Sequence, residues 1–382
     1  MIMDSFANTI RSKRLLLLLI PAFVNILCAS APAQDQIAPS RPLHLRWLFE
    51  TDGMAGLTPA ADEKAIYAAL NDGVIVSLGA ADGGLLWKSE IGGRISASPV
   101  ADARRVYVAS ESFQPRSSPY PQATGVLRAL SRQSGVTMWM RTLPSPIRGS
   151  LVSNQTTLFG VTSDGRLYAI KRETGEILWI KYSSSPFNSF PFLSGGYLYV
   201  CDEEGNLQAV EQTSGRTLWR YRTHRGLENP VIANEGSVYA GAQDGSVYAI
   251  NESDGRLKWR VRTGAAIQSI VAAGKCLLAT SLDNFVYCLN PQRGTRLWKY
   301  RLAGRVLARP LVFNESVLLT PLAGDEGVIL SLQDGKKVNS IYVGEDNNTG
   351  ASPLLNGNLI LLTTRKGLLA FSSQSITATA PE

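Results

Sequence analysis

The sequence predicts an all-β protein, an eight-bladed β-propeller of four-stranded antiparallel blades. Three observations predict it. Six of the seven tryptophans recur at intervals of 52, 40, 40, 40 and 39 residues, each four residues after a glycine, and the seventh precedes them by 40. A period near 40 residues is the length of one blade. No segment after the first 33 residues has sustained helical periodicity. The tryptophans are Trp47, Trp87, Trp139, Trp179, Trp219, Trp259 and Trp298.

One repeat, from Val238 to Trp259, has the strand and turn signals of a blade. Apolar, alternating segments are separated by Asp244-Gly245 and Asp254-Gly255. Asp-Gly between such segments predicts a hairpin, because glycine readily takes the positive φ that these turns require. Other repeats carry the same two turns ten residues apart, so each repeat supplies three consecutive strands, and a fourth leads into the next repeat.

The repeats account for eight blades in residues 44–371. Seven of them end at Trp87, the five tryptophans that follow it, and Asn339 in the tryptophan position. The eighth ends at Phe371 without a tryptophan strand, and the segment His44–Trp47 supplies that strand from the other end of the chain. We therefore expect the N-terminal strand to complete the last blade. A seven-bladed ring is the alternative, and it would leave one set of strands unused.

The N-terminus has the layout of a secretory signal peptide. Arg11, Lys13 and Arg14 precede an apolar run, and Ala31-Pro32-Ala33 is a typical cleavage site. We assign residues 1–33 to the signal peptide, 34–43 to a linker and 372–382 to a C-terminal tail, and expect export to the periplasm. Cys28 leaves lipidation open as an alternative, although Leu27 stands where such signals need a small residue. An uncleaved N-terminal anchor is a further alternative.

Charge and cysteine content narrow the function classes. The chain carries a net charge of +7, and removal of residues 1–33 leaves about +5, scattered as single Lys and Arg residues without a basic run. This pattern predicts no nucleic-acid binding.

An odd number of cysteines remains after removal of residues 1–33, namely Cys201, Cys276 and Cys288. A two-residue turn at Asp283-Asn284 would pair Cys288 with Ala279, which puts Cys276 and Cys288 on opposite faces of the sheet. This predicts no disulfide between them unless a bulge changes the register.

The segment from Ala169 to Trp179, Ala-Ile-Lys-Arg-Glu-Thr-Gly-Glu-Ile-Leu-Trp, resembles the tryptophan-docking repeat of quinoprotein-like propellers, A-x-D-x-x-T-G-x-x-x-W. The segments ending at Trp219 and Trp259 resemble it too, and the resemblance extends from about Trp47 to Phe371. It implies that each indole docks on the neighbouring blade and holds the ring together, so these tryptophans are expected to be structural.

Two functional classes share this repeat. Pyrroloquinoline-quinone dehydrogenases hold a quinone and calcium, and have a vicinal cysteine pair and long insertions that are missing here. His44 and His224 have no neighbouring ligand at metal spacing. Asp202, Glu203 and Glu204 lie on a hairpin turn, where we interpret them as a solvated cluster. We therefore predict no catalytic residues, no metal and no cofactor, and regard quinone-binding, redox-associated, sensor and carbohydrate-binding propellers as alternatives.

The second class is similar to the BamB family, exported eight-bladed propellers of about this length. The resemblance implies a non-enzymatic, protein-binding scaffold for assembly of β-barrel proteins into the outer membrane, acting as a monomeric subunit of a complex at the membrane periphery. Its partner would be the barrel-carrying subunit, BamA-like. Pro144 to Ser150 resembles the loop by which the family contacts that subunit, which makes Ile147 and Arg148 candidate contact residues.

Further candidates are arginines and one insertion. Arg94, Arg225 and Arg305, like Arg148, follow a tryptophan by six to nine residues, where the innermost strand of a blade starts, so we expect them to face the channel or one rim. These arginines either bind a partner or pair with neighbouring acidic groups.

The second repeat is 12 residues longer than its neighbours, and the extra residues lie near Ser110–Gln122. Phe113, Arg116 and Tyr120 in this insertion are residue types enriched in binding hot spots, although a plain surface insertion is the alternative.

Overall fold

The computed structural model describes residues 37–51, 53–113, 123–187, 190–223, 225–227, 231–345, 347 and 349–373. Within these residues every regular element is a β-strand, and no helix is present that could span a membrane. The strands form eight antiparallel blades in a ring, so the eight-bladed prediction is confirmed and the seven-bladed alternative is wrong.

Each blade is a sheet whose strands follow one another from the ring axis to the perimeter. The first half of the chain begins with β1 (His44–Glu50). Blade 1 follows, with β2 (Ala60–Ala61), β3 (Ala65–Ala69), β4 (Val74–Gly79) and β5 (Leu85–Glu90). The region of blade 2 contains β6 (Arg94–Ile95), β7 (Ala97–Ser98), β8 (Val100–Ala101), β9 (Arg105–Phe113), β10 (Ala123–Ser131) and β11 (Thr137–Leu143). The region of blade 3 contains β12 (Gly149–Ser150), β13 (Val152–Ser153), β14 (Thr157–Val161), β15 (Arg166–Lys171) and β16 (Ile177–Tyr182). The short strands β7 and β12 pair with each other in parallel, outside the two blade sheets. Blade 4 contains β17 (Phe192–Ser194), β18 (Tyr197–Cys201), β19 (Asn206–Glu211) and β20 (Thr217–Arg222).

The second half repeats the same order. It contains blade 5, with β21 (Ile232–Asn234), β22 (Ser237–Gly241), β23 (Ser246–Asn251) and β24 (Leu257–Arg262); blade 6, with β25 (Ile267–Ala273), β26 (Cys276–Ser281), β27 (Phe285–Leu289) and β28 (Arg296–Arg301); blade 7, with β29 (Leu311–Phe313), β30 (Ser316–Leu319), β31 (Glu326–Ser331) and β32 (Lys337–Tyr342); and blade 8, with β33 (Leu354–Asn356), β34 (Leu359–Thr364) and β35 (Gly367–Ser372), completed by β1.

The hydrophobic core lies between adjacent blades. The second and third strands of most blades are buried along nearly their whole length, because both faces of the sheet are covered by neighbours. One cluster joins Tyr239 and Val247 of blade 5 to Ile270 and Leu277 of blade 6. A single blade could not bury both of its faces, so the ring is the unit of stability.

Seven tryptophan clasps join successive blades. Each indole Nε1 donates a hydrogen bond of 2.8–3.1 Å to a backbone carbonyl 32–45 residues later, in the next blade. Each indole also lies on the glycine that precedes the next tryptophan position by four residues. A Cβ at Gly255, for example, would lie 2.7 Å from Trp219, and its φ of +72° also favours glycine. Each of these tryptophans therefore contacts the blade that follows it in the ring.

The ring is closed by β1, as predicted. It pairs antiparallel with β35, with Leu45 opposite Phe371 and Trp47 opposite Ala370. The N-terminal strand thereby becomes the outer strand of blade 8, and Trp47 clasps blade 1 through the carbonyl of Ala80.

The junction of blades 7 and 8 lacks an indole and contains the linker instead. Asn339 occupies the tryptophan position, and its Nδ2 donates to the carbonyls of Pro39 and Arg41 at 3.0 and 2.6 Å. The amide of Ala38 donates to Ser373 Oγ at 3.2 Å. Ile37 is buried in a cluster with side chains of both blades. The linker segment therefore replaces the eighth clasp.

The expectation for the cysteines is wrong. Cys276 and Cys288 form a disulfide, with Cα atoms 5.4 Å apart. Cys288 lies opposite Leu278 rather than Ala279, because the connection around Asp283 is longer than a two-residue turn and shifts the register by one residue. Leu278 is two residues from Cys276, so both sulfur atoms lie on one face. Cys201 is buried.

Candidate functional site

The candidate arginines share one rim of the ring. Because consecutive strands are antiparallel, the turn between the second and third strands lies at the same end as the connection from the outer strand to the next blade. Close approaches support this: a Cβ on Gly73, in such a turn, would meet the carbonyl of Gly93, in such a connection. We call this end the crossover rim. Arg94, Arg148, Arg225 and Arg305 all lie on it.

Two of these arginines converge on one buried carboxylate. Arg94 Nε lies 2.9 Å from Glu111 Oε1, and Arg148 Nη2 lies 2.6 Å from Glu111 Oε2. The Glu111 side chain is 2% exposed, whereas those of Arg94 and Arg148 are 62% and 39% exposed. The carboxylate is thus held inside the rim while both guanidinium groups reach the surface. In the structure, Arg94 and Arg148 are therefore paired with an acidic neighbour.

Local backbone geometry positions both arginines. Arg94 follows Gly92-Gly93, both with positive φ, and the short strand β6 pairs Arg94 with Glu111 directly. Arg148 precedes Gly149, which also has positive φ. In addition, Arg128 Nη1 donates to Ser110 Oγ at 3.0 Å, and burial lowers the pKa of Arg128. Arginine stays charged in proteins, so Arg128 brings a further positive charge to Ser110, the residue before Glu111.

Ile147 is not presented to solvent. Its side chain is 1% exposed and packs into the core between blades 2 and 3, where a Cβ on Gly160 would touch it at 3.1 Å. Its backbone forms an isolated bridge with Thr162. Ile147 therefore anchors the connection whose next residue, Arg148, is at the surface.

The remaining candidates lie on the same rim. Arg225 and Arg305 are exposed, and within the described residues neither has a carboxylate within ion-pair distance. The insertion lengthens the hairpin of blade 2: β9 and β10 have nine residues each and pair from Ser131–Arg105 to Ala123–Phe113. Phe113 ends β9 at the crossover rim. Arg116 and Tyr120 lie outside the described residues.

The acidic cluster is not uniformly solvated, contrary to our interpretation. Glu203 and Glu204 are exposed, but Asp202 is 1% exposed. Its carboxylate accepts hydrogen bonds from the Asn206 amide at 2.9 Å and from Ser183 Oγ at 3.2 Å. It stabilises the hairpin turn of blade 4. No group of three metal-ligating side chains occurs within the described ranges. His44 lies in β1, and His224 falls outside the description.

A family model described as outer membrane protein assembly factor BamB matches residues 41–117, 123–269 and 243–375. The match covers most of the chain. The chain belongs to the BamB family. A search of curated protein sequences found no significant match.

Solved structures support the BamB-like fold. BamB from Moraxella catarrhalis is similar with a TM-score of 0.72 and 16% identity, over 86% of this chain and 99% of that one. Quinohemoprotein alcohol dehydrogenases are similar too. The enzyme ADHIIG from Pseudomonas putida HK5 gives a TM-score of 0.70 at 12% identity, over 92% and 79% of the two chains. The enzyme from Comamonas testosteroni gives 0.69 at 12%, over 91% and 79%. At these identities the likeness shows the fold alone.

Sequence reasoning missed Glu111, the residue that organises the site in this BamB-family propeller. A signal for it existed. Glu111 stands near the end of the second strand of blade 2, a region that is buried in the other blades. A carboxylate at a buried strand position requires a cationic partner, and the two nearest crossovers each supply an arginine.

Proposed function

We propose that this chain is a non-enzymatic, protein-binding scaffold of the periplasm that serves, like BamB, in assembly of β-barrel proteins into the outer membrane. The observation that carries the proposal is the pair of arginines held by Glu111 on the crossover rim, in a chain of the BamB family. The partner would be the BamA-like, barrel-carrying subunit, and the propeller would be a monomeric subunit of that complex.

Glu111 makes the two guanidinium groups suited to binding. A surface arginine normally loses rotamer freedom when it binds, and this loss opposes affinity. Here the carboxylate already restricts Arg94 and Arg148, while a single negative charge leaves one positive charge for a partner's acidic group. Arg148 would make the direct contact, and buried Ile147 would hold its connection in place.

The surface would extend along the crossover rim. Arg225 and Arg305 add positive charge, and β9 of blade 2 ends at the same rim with Phe113. Arg116 and Tyr120 remain candidates from the sequence, outside the described residues. Export rests on the signal-like residues 1–33, with lipidation at Cys28 or an uncleaved anchor as the alternatives. Mass spectrometry of the exported protein distinguishes them, because an N-terminus at Gln34 excludes both anchors.

Co-purification from detergent-solubilised envelope tests the partner. Arg148→Ala should lower the affinity for the barrel-carrying subunit at least about tenfold, as expected for a hot-spot arginine. Arg256→Ala is the matched control: its side chain is 87% exposed, and it lies in a turn between third and fourth strands, on the opposite rim. Circular dichroism would verify that both variants fold. Unchanged recovery with Arg94→Ala and Arg148→Ala combined would remove this site from the proposal.

Quinone binding is the second candidate, favoured by the similarity to the two quinohemoprotein dehydrogenase structures. Addition of pyrroloquinoline quinone with calcium distinguishes the two. A scaffold gives neither a change in absorbance nor dye reduction, whereas a quinone-dependent dehydrogenase gives both once an alcohol is added.

A further inference from the structure

The mouth of the central channel is lined by one equivalent position from almost every blade. In five blades this position immediately precedes a proline at the start of the inner strand, and blades 3 and 6 contribute polar residues at the same level. Together these residues surround a cavity of about 520 Å³. The lining residues at this position are Thr58, Ser98, Ser150, Phe190, Ser269, Arg309 and Ser352.

Arg309 is the single ionisable residue among the described residues that line this cavity. Within the described part of the chain no carboxylate lies within ion-pair distance of its guanidinium group. The side chain is partly buried, and burial lowers its pKa. Arginine nevertheless remains protonated in proteins, so its positive charge persists in the channel and is costly to bury without a counter-charge.

Three hydroxyl groups at this level of the channel accept backbone hydrogen bonds from the neighbouring blade. Thr58 N donates to Ser98 Oγ at 3.2 Å, Ser352 N donates to Thr58 Oγ1 at 3.0 Å, and Arg309 N donates to Ser352 Oγ at 3.0 Å. Each of these oxygens therefore already accepts a backbone N–H. Its own O–H proton remains to be donated, and none donates to an acceptor elsewhere in the described structure.

From this arrangement we infer that the channel mouth binds a small organic carboxylate, whose oxygens accept hydrogen bonds from the Arg309 guanidinium and from hydroxyl groups that line the cavity. One fixed positive charge matches a single negative charge, which favours a monocarboxylate over a doubly charged phosphate. The apolar part of the ligand would lie against Leu57, Val100, Leu151, Phe190 and Leu307. The cavity has the volume and mixed lining of a small-molecule site.

The residues that line this cavity differ from those proposed to contact the partner protein. Arg148 and Glu111 do not line the cavity. A failure to bind a carboxylate would therefore not contradict the proposed partner binding. A failure to bind the partner would likewise not contradict carboxylate binding in the channel.

Fluorine NMR titration of the purified mature protein with para-fluorobenzoate tests the inference. The wild type should bind it, and the neutral isostere para-fluorobenzamide should not compete. Arg309→Gln should weaken binding at least about tenfold, because it removes the charged donor. Arg305→Gln is the matched control, since this exposed arginine lies in the same connection but outside the cavity.

Two additional variants keep the test decisive. If Arg309→Gln does not fold, Ser98→Ala and Ser352→Ala should each weaken binding several-fold in folded protein. Equal affinity of wild type and Arg309→Gln, or of carboxylate and amide, would overturn the inference.

Discussion

Removal of one tryptophan clasp should cost several kcal/mol, because the clasps connect otherwise separate sheets. Trp219 is the clearest case. It is 8% exposed, donates to the Glu252 carbonyl at 2.8 Å, and lies 6.0 Å from the ring of Tyr199. It also covers Gly255 of the next blade. Trp219→Ala therefore removes the burial, the hydrogen bond and the aromatic contact together.

The magnitude follows from these contacts. Truncation of a buried tryptophan to alanine costs about 3–5 kcal/mol, because the cavity is added to the lost burial. Trp219→Phe keeps most of the burial and loses the indole N–H, which should cost about 1–3 kcal/mol. Gly255→Ala should be destabilising for a different reason: the new Cβ would lie 2.7 Å from the indole, at a φ of +72°.

Urea denaturation followed by far-ultraviolet circular dichroism measures these differences. The midpoints should rank wild type, Trp219→Phe, then Trp219→Ala. Leu218→Ala is the control: its side chain is 45% exposed on the same strand, so we expect a change within about 0.5 kcal/mol. A Trp219→Ala variant as stable as this control would refute the reasoning that the clasps hold the ring together.

Three further predictions concern the junctions and the rim. Asp102 forms an ion pair with Arg172 between blades 2 and 3. Burial alone would raise the pKa of Asp102. Hydrogen bonds from the Arg104 amide, Tyr107, Arg172 and the Arg105 amide outweigh the effect of burial and lower this pKa to about 2. Since the folded pKa is depressed, about 2 kcal/mol of stability is present above pH 4 and lost as the pH falls toward 2, and acid titration of Asp102→Asn should lack this loss. Replacing Cys276 and Cys288 by serine should lower the free energy of unfolding by about 3 kcal/mol, the value for a loop of this length, and an unchanged urea midpoint would contradict the expectation. Asn339→Ala should release the linker, which limited proteolysis would detect as faster cleavage near Arg41, with Asn356→Ala as a comparison that leaves the linker contacts intact.

Local signals in the sequence were sufficient to predict the architecture. The glycine-tryptophan spacing repeats because each blade must meet the same geometric requirement, an indole over a glycine with positive φ. The same regularity identified Asn339 as an exception and His44–Trp47 as the missing strand. Asn284, with a φ of +65°, also fills the glycine position of its turn as expected.

The failures share a physical cause, because each depended on contacts between segments distant in the chain. The cysteine expectation rested on the length of one turn, and a change of register by one residue reverses the face of every side chain that follows. Ile147 stays a candidate from the sequence, but its burial against Gly160 of blade 3 could be seen only in the structure. Asp202 has the sequence context of a solvated turn, yet Ser183 and Asn206 enclose it.

By itself, the sequence determined the strand content, the number of blades and how the ring closes. These features depend on local residue patterns, and the same pattern occurs in nearly every repeat. Only the tertiary structure decided the chemistry of the rim and channel. Arg94, Glu111 and Arg148 come from three different strands or connections, and Ser352 of blade 8 meets Thr58 of blade 1 only because the ring is closed. Hydrogen bonds and ion pairs act over a few ångströms, so they depend on which blades meet in space.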